Sequence, residues 1–139
     1  MPRVSPLRRV LRLVVGAAVA FLLVTWLALE GGDVGVLRTH EGGPTWRDTR
    51  VWYVEDGTGS LWIEAATSDR PWLIDVRSDD EVTLVRDDVP TRWRAQPVED
   101  PAAHDRVRSL LREKYGWADR WVGLIQDTSH SIAVRLDPR

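Results

Sequence analysis

The chain has 139 residues, which is enough for one domain of ordinary size and too few for two full ones. Its formal charge of −2 hides an asymmetry, because residues 1–30 carry four Arg against one Glu, whereas residues 31–139 hold 15 basic and 20 acidic side chains. The net negative charge of residues 31–139 argues against a nucleic-acid-binding protein, because such proteins need a concentrated positive patch. The absence of Cys excludes disulfides, thiol catalysis and Cys-ligated metal sites.

The N-terminal segment consists of a basic head, residues 1–12, and a predicted membrane anchor, residues 13–30. Its apolar part, residues 13–29, is an uncharged run of 17 residues. As a helix this run would span about 26 Å, and Arg12 can extend its charge towards the headgroups. Two alternatives stay open. A cleaved signal peptide would need a better cleavage site than the residues after Trp26 provide, and a buried core helix would need a polar face.

The four Arg that precede this run predict a single-pass membrane protein whose N-terminus is cytoplasmic. Membrane lipid around residues 13–29 is then one partner of the chain, and the bulk of the chain lies on the other side of the membrane. Residues 31–139 are predicted to form one domain, because the composition changes after Gly32 to that of a soluble protein.

Six strands are predicted in this domain, because alternating apolar residues and β-branched or aromatic side chains recur between turn signals. Asp-Gly tolerates the positive φ of a tight turn, so residues 56–59 predict one hairpin, and residues 87–90 predict a second. The predicted strands cover residues 34–40, 50–55, 60–66, 81–86, 91–98 and 131–136.

One helix is predicted from Asp100 as its N-cap and Pro101 as its first residue to Gly116, with apolar residues at helical spacing. On its opposite face His104, Arg108 and Arg112 form a polar stripe. Shorter helices are predicted at residues 71–79 and 117–125. The elements together indicate a mainly β, α+β fold: a small six-stranded antiparallel barrel with helical cover, preceded by one transmembrane helix.

Metal and hydrolytic sites are weakly indicated. The three His lie in three different elements without ligand spacing. The residue types of a catalytic triad occur together at Asp127, Ser129 and His130. However, side chains of neighbours in sequence are not expected to point at one another. We therefore interpret these residues as a polar turn before the last strand. No catalytic residue and no metal ligand is assigned.

Trp and Arg side chains alternate along the domain, and the chain has eight Trp in all. Indole faces and guanidinium groups together could bind a flat anionic ligand, by stacking on its rings and pairing with its phosphate. Trp52 and Trp72, with Arg50 and Arg70, are the candidates, since they occupy strand, hairpin and helix junctions. The alternative is that Trp fills the core and Arg forms a solvated rim, and Trp117 and Trp121 favour it by their helical spacing.

The order of several short motifs resembles the split β-barrel flavin- and deazaflavin-binding superfamily. These are the pyridoxamine-phosphate-oxidase-like proteins, and the likeness is greatest to the branch of deazaflavin-dependent nitroreductases. It covers about residues 34–137, although each motif is short. The motifs are RDTRVWY at 47–53, SDRPW at 68–72, DVR at 75–77, LREKYGW at 111–117 and AVRL at 133–136.

The resemblance implies a six-stranded split barrel, commonly a homodimer, that binds FMN or a deazaflavin coenzyme along its surface. It implies that Arg47 closes a basic loop and that Arg70 lies in the serine-containing segment that meets the cofactor phosphate. Glu41 stands where the family's loop has a basic residue. With the Trp and Arg pattern, the predicted cofactor-binding set is Arg47, Arg50, Trp52, Ser68, Arg70 and Trp72.

The sequence therefore predicts a membrane-anchored flavin- or deazaflavin-dependent oxidoreductase that passes a hydride to a quinone-like or nitroaromatic acceptor. Such an enzyme needs no strong acid or base, because the cofactor carries the chemistry. The alternative is a non-catalytic split-barrel domain that binds a partner protein or small ligand at the membrane surface. A third interpretation, a cleaved secreted barrel, would have its mature N-terminus near residue 30.

Overall fold

A computed structural model describes residues 6–139 as one long helix, a curled antiparallel sheet of seven strands and three shorter helices. Part of the predicted basic head, residues 1–5, lies outside the described residues. The helices are α1 (Pro6–Glu30), α2 (Pro71–Ser78), α3 (Pro101–Tyr115) and α4 (Trp117–Ile125). The strands are β1 (Val34–Gly42), β2 (Thr45–Trp52), β3 (Val54–Glu55), β4 (Leu61–Ala65), β5 (Glu81–Arg86), β6 (Val89–Val98) and β7 (Ile132–Pro138).

The strands form one sheet in the order β2-β1-β5-β6-β7-β4-β3, so that β2 and β3 are its edges. The sheet curls until β2 contacts β4, which gives a split barrel. This confirms the α+β fold class and corrects the strand number from six to seven. The extra strand arises because the predicted strand at residues 50–55 is divided at Tyr53 into the end of β2 and the short strand β3. Gly42 and Gly43, at φ 104° and 65°, turn the chain into a hairpin between β1 and β2, so that β2 begins at Thr45, earlier than predicted.

The hairpin between β5 and β6 is tighter than predicted. Its turn consists of Asp87 and Asp88, at φ 48° and 62°, and the strand β6 already includes Val89 and Pro90. Two consecutive residues with positive φ are what a two-residue hairpin turn requires, and Asp tolerates that conformation better than most residues. The predicted four-residue turn at 87–90 is therefore wrong by two residues.

Two apolar clusters hold the domain together. One fills the inside of the curled sheet, where Trp72, Leu73 and Val76 of α2 pack among side chains of the strands. The other lies between the sheet and the helices α1, α3 and α4. The helix α3 begins as predicted, because Asp100 accepts a hydrogen bond from the Ala103 N–H at 3.1 Å and Pro101 is its first residue. The two shorter predicted helices are also present.

The helix α1 is long and apolar enough to cross a membrane. Its residues from Pro6 to Leu23 are exposed, and it packs against the domain over its C-terminal part, from Phe21, which contacts Trp121, to the buried Ala28. The Trp52 indole N–H donates to the Leu29 carbonyl at 3.3 Å, and Arg50 pairs with Glu30. This exposure excludes one alternative from the sequence analysis, namely that α1 is a buried core helix.

Tyr115 ties the end of α3 to the start of the sheet. Its hydroxyl donates to the Asp33 carbonyl at 2.6 Å and accepts from the Tyr53 N–H at 3.0 Å, while its ring stacks on Trp52 at 4.3 Å. Burial raises the pKa of the Tyr115 hydroxyl, which stays neutral and can donate across the physiological range.

Tyr115→Phe is therefore expected to lower the free energy of unfolding by about 1–3 kcal/mol, because the buried Tyr53 N–H loses its partner. Chemical denaturation of the full chain in detergent measures the change. Tyr53→Phe is the matched control, since among the described residues the Tyr53 hydroxyl makes no hydrogen bond. Equal effects of the two variants would contradict the assigned role of Tyr115.

Asp56 fixes the turn between β3 and β4. Its carboxylate accepts from the Thr58 hydroxyl, from the Thr58 N–H at 2.9 Å and from the Trp62 indole N–H at 2.8 Å. These hydrogen bonds lower the pKa of Asp56 from 3.8 to about 2, and the bond from the Thr58 hydroxyl has the largest effect. Because the folded pKa is depressed, the carboxylate stabilises the fold fully above the unfolded pKa, and this contribution is lost as the pH falls towards 2.

Asp56→Asn is expected to unfold at a lower temperature than the wild type at neutral pH, and the gap is expected to close as the pH falls from about 4 to about 2. Thermal unfolding of both proteins across this range measures it. Asp88→Asn is the control. It removes a carboxylate from the β5–β6 hairpin turn, and the Asp88 carboxylate makes no hydrogen bond among the described residues. A gap for Asp56→Asn that is the same at every pH would contradict the prediction.

Candidate functional site

One of the cavities of the described structure lies where the barrel is split. It has a volume of about 500 Å³ and is bounded by the edge strand β2, by α2, α3 and α4, and by the last residues of α1. Five of the six predicted site residues line it together. They are Arg47, Arg50, Trp52, Arg70 and Trp72. The sixth, Ser68, is exposed outside the lining, and its carbonyl accepts a hydrogen bond from Arg77.

Arg47 enters the cavity wall from β2 but is held by two carboxylates. Its Nε donates to Asp75 Oδ2 at 2.9 Å, and its Nη2 lies 2.7 Å from Glu41 Oε1. Asp75 is buried on α2 and also accepts from the Thr39 hydroxyl at 2.8 Å. The positive charge of Arg47 is therefore compensated within the protein. Sequence reasoning did not identify Asp75 as the partner, because 28 residues separate the pair.

The two predicted Trp residues differ in what they can offer a ligand. Trp52 lines the cavity, but one of its ring faces is covered by Tyr115. Trp72 is only 5% exposed and packs in the cluster inside the barrel, so most of its surface is core. Arg50 is exposed and pairs with Glu30 at the end of α1. Only Trp52 thus presents a broad aromatic surface to the cavity.

A buried charge cluster that the sequence did not predict forms the far wall. Arg108 donates to Glu64 Oε2 at 2.7 Å and to Asp119 Oδ1 at 2.6 Å, and these side chains are 12%, 13% and 3% exposed. Burial alone would lower the pKa of Arg108, but the two carboxylates raise it. Within the predicted polar stripe on α3, Arg108 is thus buried in ion pairs, whereas Arg112 faces solvent.

Arg70 differs from the other cavity arginines. Among residues 6–139 no carboxylate lies within 4.0 Å of its guanidinium, whereas Arg47, Arg50 and Arg108 are all paired. Arg70 is also the N-cap of α2, and no side chain caps that helix end. The dipole of a helix gives its N-terminus a partial positive charge that favours an anion, although Pro71 has no N–H and the Leu73 and Ile74 N–H groups of α2 both donate to the Arg70 carbonyl. Arg70 and this helix end together are the electropositive part of the cavity.

The chemistry of the lining is that of a binding site. Four Arg and four acidic side chains line the cavity, so its formal charge is zero, and only Arg70 remains uncompensated. In the part of the chain that the structure describes, no three His, Asp or Glu side chains come together to hold a metal ion. Orientation and electrostatics are what these residues can supply to a bound ligand.

The side chains of Asp127, Ser129 and His130 are not part of the cavity lining. Contrary to expectation, Ser129 Oγ does lie 2.9 Å from His130 Nδ1. Asp127 Oδ1 accepts from both the Ser129 hydroxyl and the Ser129 N–H, and its pKa is lowered by these bonds. All three side chains are exposed on the surface and none of them lines a described cavity, although their neighbour Thr128 does. They form the polar turn that the sequence indicated.

No protein-family model matches the sequence, and no curated protein matches it either. Solved structures do match. A candidate pyridoxamine 5′-phosphate oxidase from Listeria innocua is 18% identical with a TM-score of 0.58, over 81% of this chain and 88% of that one. An FAD-binding protein from Mesorhizobium loti is 12% identical with a TM-score of 0.59, over 85% and 88% of the two chains.

A third structure, named as an F420 reductase, is 16% identical with a TM-score of 0.54, over 82% of this chain and 92% of that one. At such identities a structural likeness shows the fold. The chain therefore has the split-barrel fold found in pyridoxamine-phosphate-oxidase-like, FAD-binding and F420-related proteins.

Proposed function

We propose that the chain is a membrane-anchored flavin-dependent oxidoreductase that passes a hydride to a quinone-like or nitroaromatic acceptor. Residues 13–30 form the anchor in this proposal, and residues 31–139 form the split-barrel domain. The observation that carries the proposal is that Arg47, Arg50, Trp52, Arg70 and Trp72 surround one cavity of about 500 Å³, a size typical of small-molecule sites. The named neighbours of the same fold support a flavin-type cofactor in general.

The charge distribution of the cavity favours a ligand with a single phosphate. Arg70 and the α2 N-terminus offer one uncompensated positive region, and the other cavity arginines are engaged by carboxylates. FMN carries one phosphate and matches this arrangement. A deazaflavin coenzyme carries further anionic groups, for which the described cavity has no second uncompensated cation. We therefore propose FMN ahead of a deazaflavin.

The residues of this chain would bind and orient the cofactor. Arg70 would pair with the phosphate, and Trp52 would contact the ring system with the face that Tyr115 leaves free. Leu111 and Val122 line the same cavity and would exclude water from the ring. The flavin, when bound, supplies the hydride chemistry, and this explains why the cavity needs no nucleophile or general base.

The anchor and the assembly state belong to the same proposal. We propose that α1 crosses the membrane with its N-terminus in the cytoplasm, which the excess of Arg before residue 13 supports. The barrel then lies at the opposite membrane surface, where a lipid-soluble acceptor is at hand. A homodimer is proposed from the likeness to the split-barrel superfamily.

The test of the function is the absorbance spectrum of the full chain, purified in mild detergent from its own cell. We expect a flavin band that unfolding releases into solution, and saturable quenching of FMN fluorescence when the protein is added. Reduced cofactor on the protein is expected to be reoxidised by a soluble naphthoquinone. A colourless protein that binds neither FMN nor a deazaflavin would contradict the proposal.

A second candidate function is favoured by the compensated arginines. Because Arg47, Arg50 and Arg108 are paired within the protein, the cavity is less cationic than its composition suggests. A non-catalytic barrel that binds a partner protein or an uncharged small ligand at the membrane surface would show this property. Absence of flavin binding with an intact fold would support this candidate.

A further inference from the structure

The outward face of α4 is apolar although it belongs to a domain surface. Leu124 is 80% exposed, and Trp117 and Ile125 are about half exposed. The charged residue on this exposed face is Arg120, since Asp119 is buried against Arg108. A short exposed helix with large apolar side chains and a cationic residue is typical of a segment that lies in a membrane interface.

This helix packs directly on α1. The Trp121 ring lies 5.6 Å from the Phe21 ring, and its indole N–H donates to the Thr25 hydroxyl at 3.1 Å. Phe21 lies nine residues before Glu30, the last residue of α1. At about 1.5 Å per residue, the contact extends roughly 13 Å back along α1 from the end that joins the domain.

The position of this contact restricts how α1 can sit in a bilayer. If the segment of α1 that α4 covers stayed in water, the uncharged run left for the membrane would be residues 13–20, about 12 Å of helix. That is less than half of a hydrocarbon core of about 30 Å. If α1 crosses the membrane, the part of α4 around Trp121 that packs on α1 must therefore lie at the level of the lipid.

We propose that α4 is an interfacial helix whose exposed face, Trp117, Arg120, Leu124 and Ile125, contacts the lipid bilayer beside α1. The apolar surface of α4 is continuous with that of α1 through the contact of Trp121 with Phe21. Arg120 can extend its guanidinium to the lipid phosphates while Leu124 and Ile125 enter the acyl boundary. This inference rests on the proposed membrane crossing of α1.

A consequence concerns the cavity. Val122 of α4, Gln126 directly after it, and Leu29 and Glu30 of α1 belong to its lining. The two elements that contact lipid in this proposal therefore also form one wall of the candidate site. The cavity would lie at the membrane surface, where an apolar acceptor is concentrated.

The absence of Cys allows a direct test with single labelled cysteines in the full chain. Leu124→Cys carries a polarity-sensitive fluorophore, and the chain is reconstituted in phosphatidylcholine and phosphatidylglycerol vesicles that contain a nitroxide-labelled lipid quencher. Val89→Cys is the control, because Val89 is exposed at the β5–β6 turn. Ala18→Cys, on the exposed part of α1, reports on the anchor.

We expect the lipid quencher to lower the fluorescence at Leu124 and at Ala18 by about half or more, and to leave Val89 unchanged. Quenching at Ala18 with none at Leu124 would overturn the inference and leave the anchor intact. Quenching at neither position would overturn both. Protection of Leu124 from aqueous iodide without lipid quenching would show that protein, such as a second copy of the chain, covers α4, and would also overturn it.

Discussion

Arg108→Met is expected to lower the free energy of unfolding of the full chain by about 3–5 kcal/mol. The side chain sits between Glu64 and Asp119 at 2.7 and 2.6 Å, and all three groups are largely buried. Removing Arg108 leaves two carboxylates without a counter-charge in a poorly solvated wall. The loss measures the cost of those uncompensated charges, which exceeds the net worth of the ion pairs themselves.

Arg112→Met is the matched control. Arg112 lies one turn further along α3, is 63% exposed and approaches Asp119 only to 4.0 Å, so its loss is expected to cost less than about 0.5 kcal/mol. Chemical denaturation in detergent, followed by Trp fluorescence, measures both variants. A triple variant that adds Glu64→Gln and Asp119→Asn to Arg108→Met is expected to recover part of the loss, because no unpaired charge remains. An Arg108 variant as stable as the Arg112 variant would contradict the prediction.

The Arg108 cluster also limits what the cavity can bind. Its arginine is engaged from two sides, and Glu64 accepts a further hydrogen bond from the Ser131 hydroxyl. Releasing Arg108 towards a ligand would leave two carboxylates exposed to the same ligand. The cluster has a formal charge of −1 and forms a wall that offers a ligand no available cation, so the electropositive part of the cavity is confined to Arg70 and the α2 N-terminus.

Local patterns account for most of what the sequence predicted correctly. The helix α3 was predictable because Asp100, Pro101 and Gly116 act through the backbone next to them. The strands were predictable from alternation, and the missed hairpin at Gly42 and Gly43 carried a local signal too, since consecutive glycines admit positive φ. The division of the predicted strand 50–55 at Tyr53 carried no such local signal, and for this reason the seventh strand was not predicted.

Three of the four cavity arginines, Arg47, Arg50 and Arg70, were named from the sequence, but Arg108 and the partners of the paired arginines were not. Arg47 and Arg70 were identified by motif order, yet the state of Arg47 depends on Asp75, which reaches it across the fold. The partner of Arg108 on β4, Glu64, is 44 residues away in sequence. No sequence periodicity records which charge meets which across such distances, so the contrast between a free Arg70 and compensated neighbours emerges only from the folded arrangement.

Arg70→Ala is expected to raise the Kd for FMN by about tenfold to a hundredfold, equivalent to about 1.5–3 kcal/mol for one charge-assisted phosphate contact. The reason is that no other cavity arginine is free to replace Arg70 without abandoning a carboxylate. Fluorescence titration of FMN with the full chain in detergent gives the Kd. Riboflavin, which lacks the phosphate, is expected to bind the wild type and Arg70→Ala equally.

Arg92→Ala is the matched control, because Arg92 is also exposed and has no carboxylate within 4.0 Å among the described residues, but lies on β6 away from this cavity. Its Kd for FMN is expected to equal that of the wild type. Arg70→Lys keeps the charge and should retain part of the affinity, with a stronger dependence on salt, because a single ammonium contact is less directional than a guanidinium. Arg70→Ala and Arg92→Ala with the same Kd would place the phosphate elsewhere. In that case the paired Arg47 would have to release Asp75 and Glu41 on binding, and FMN affinity would then rise in Glu41→Gln.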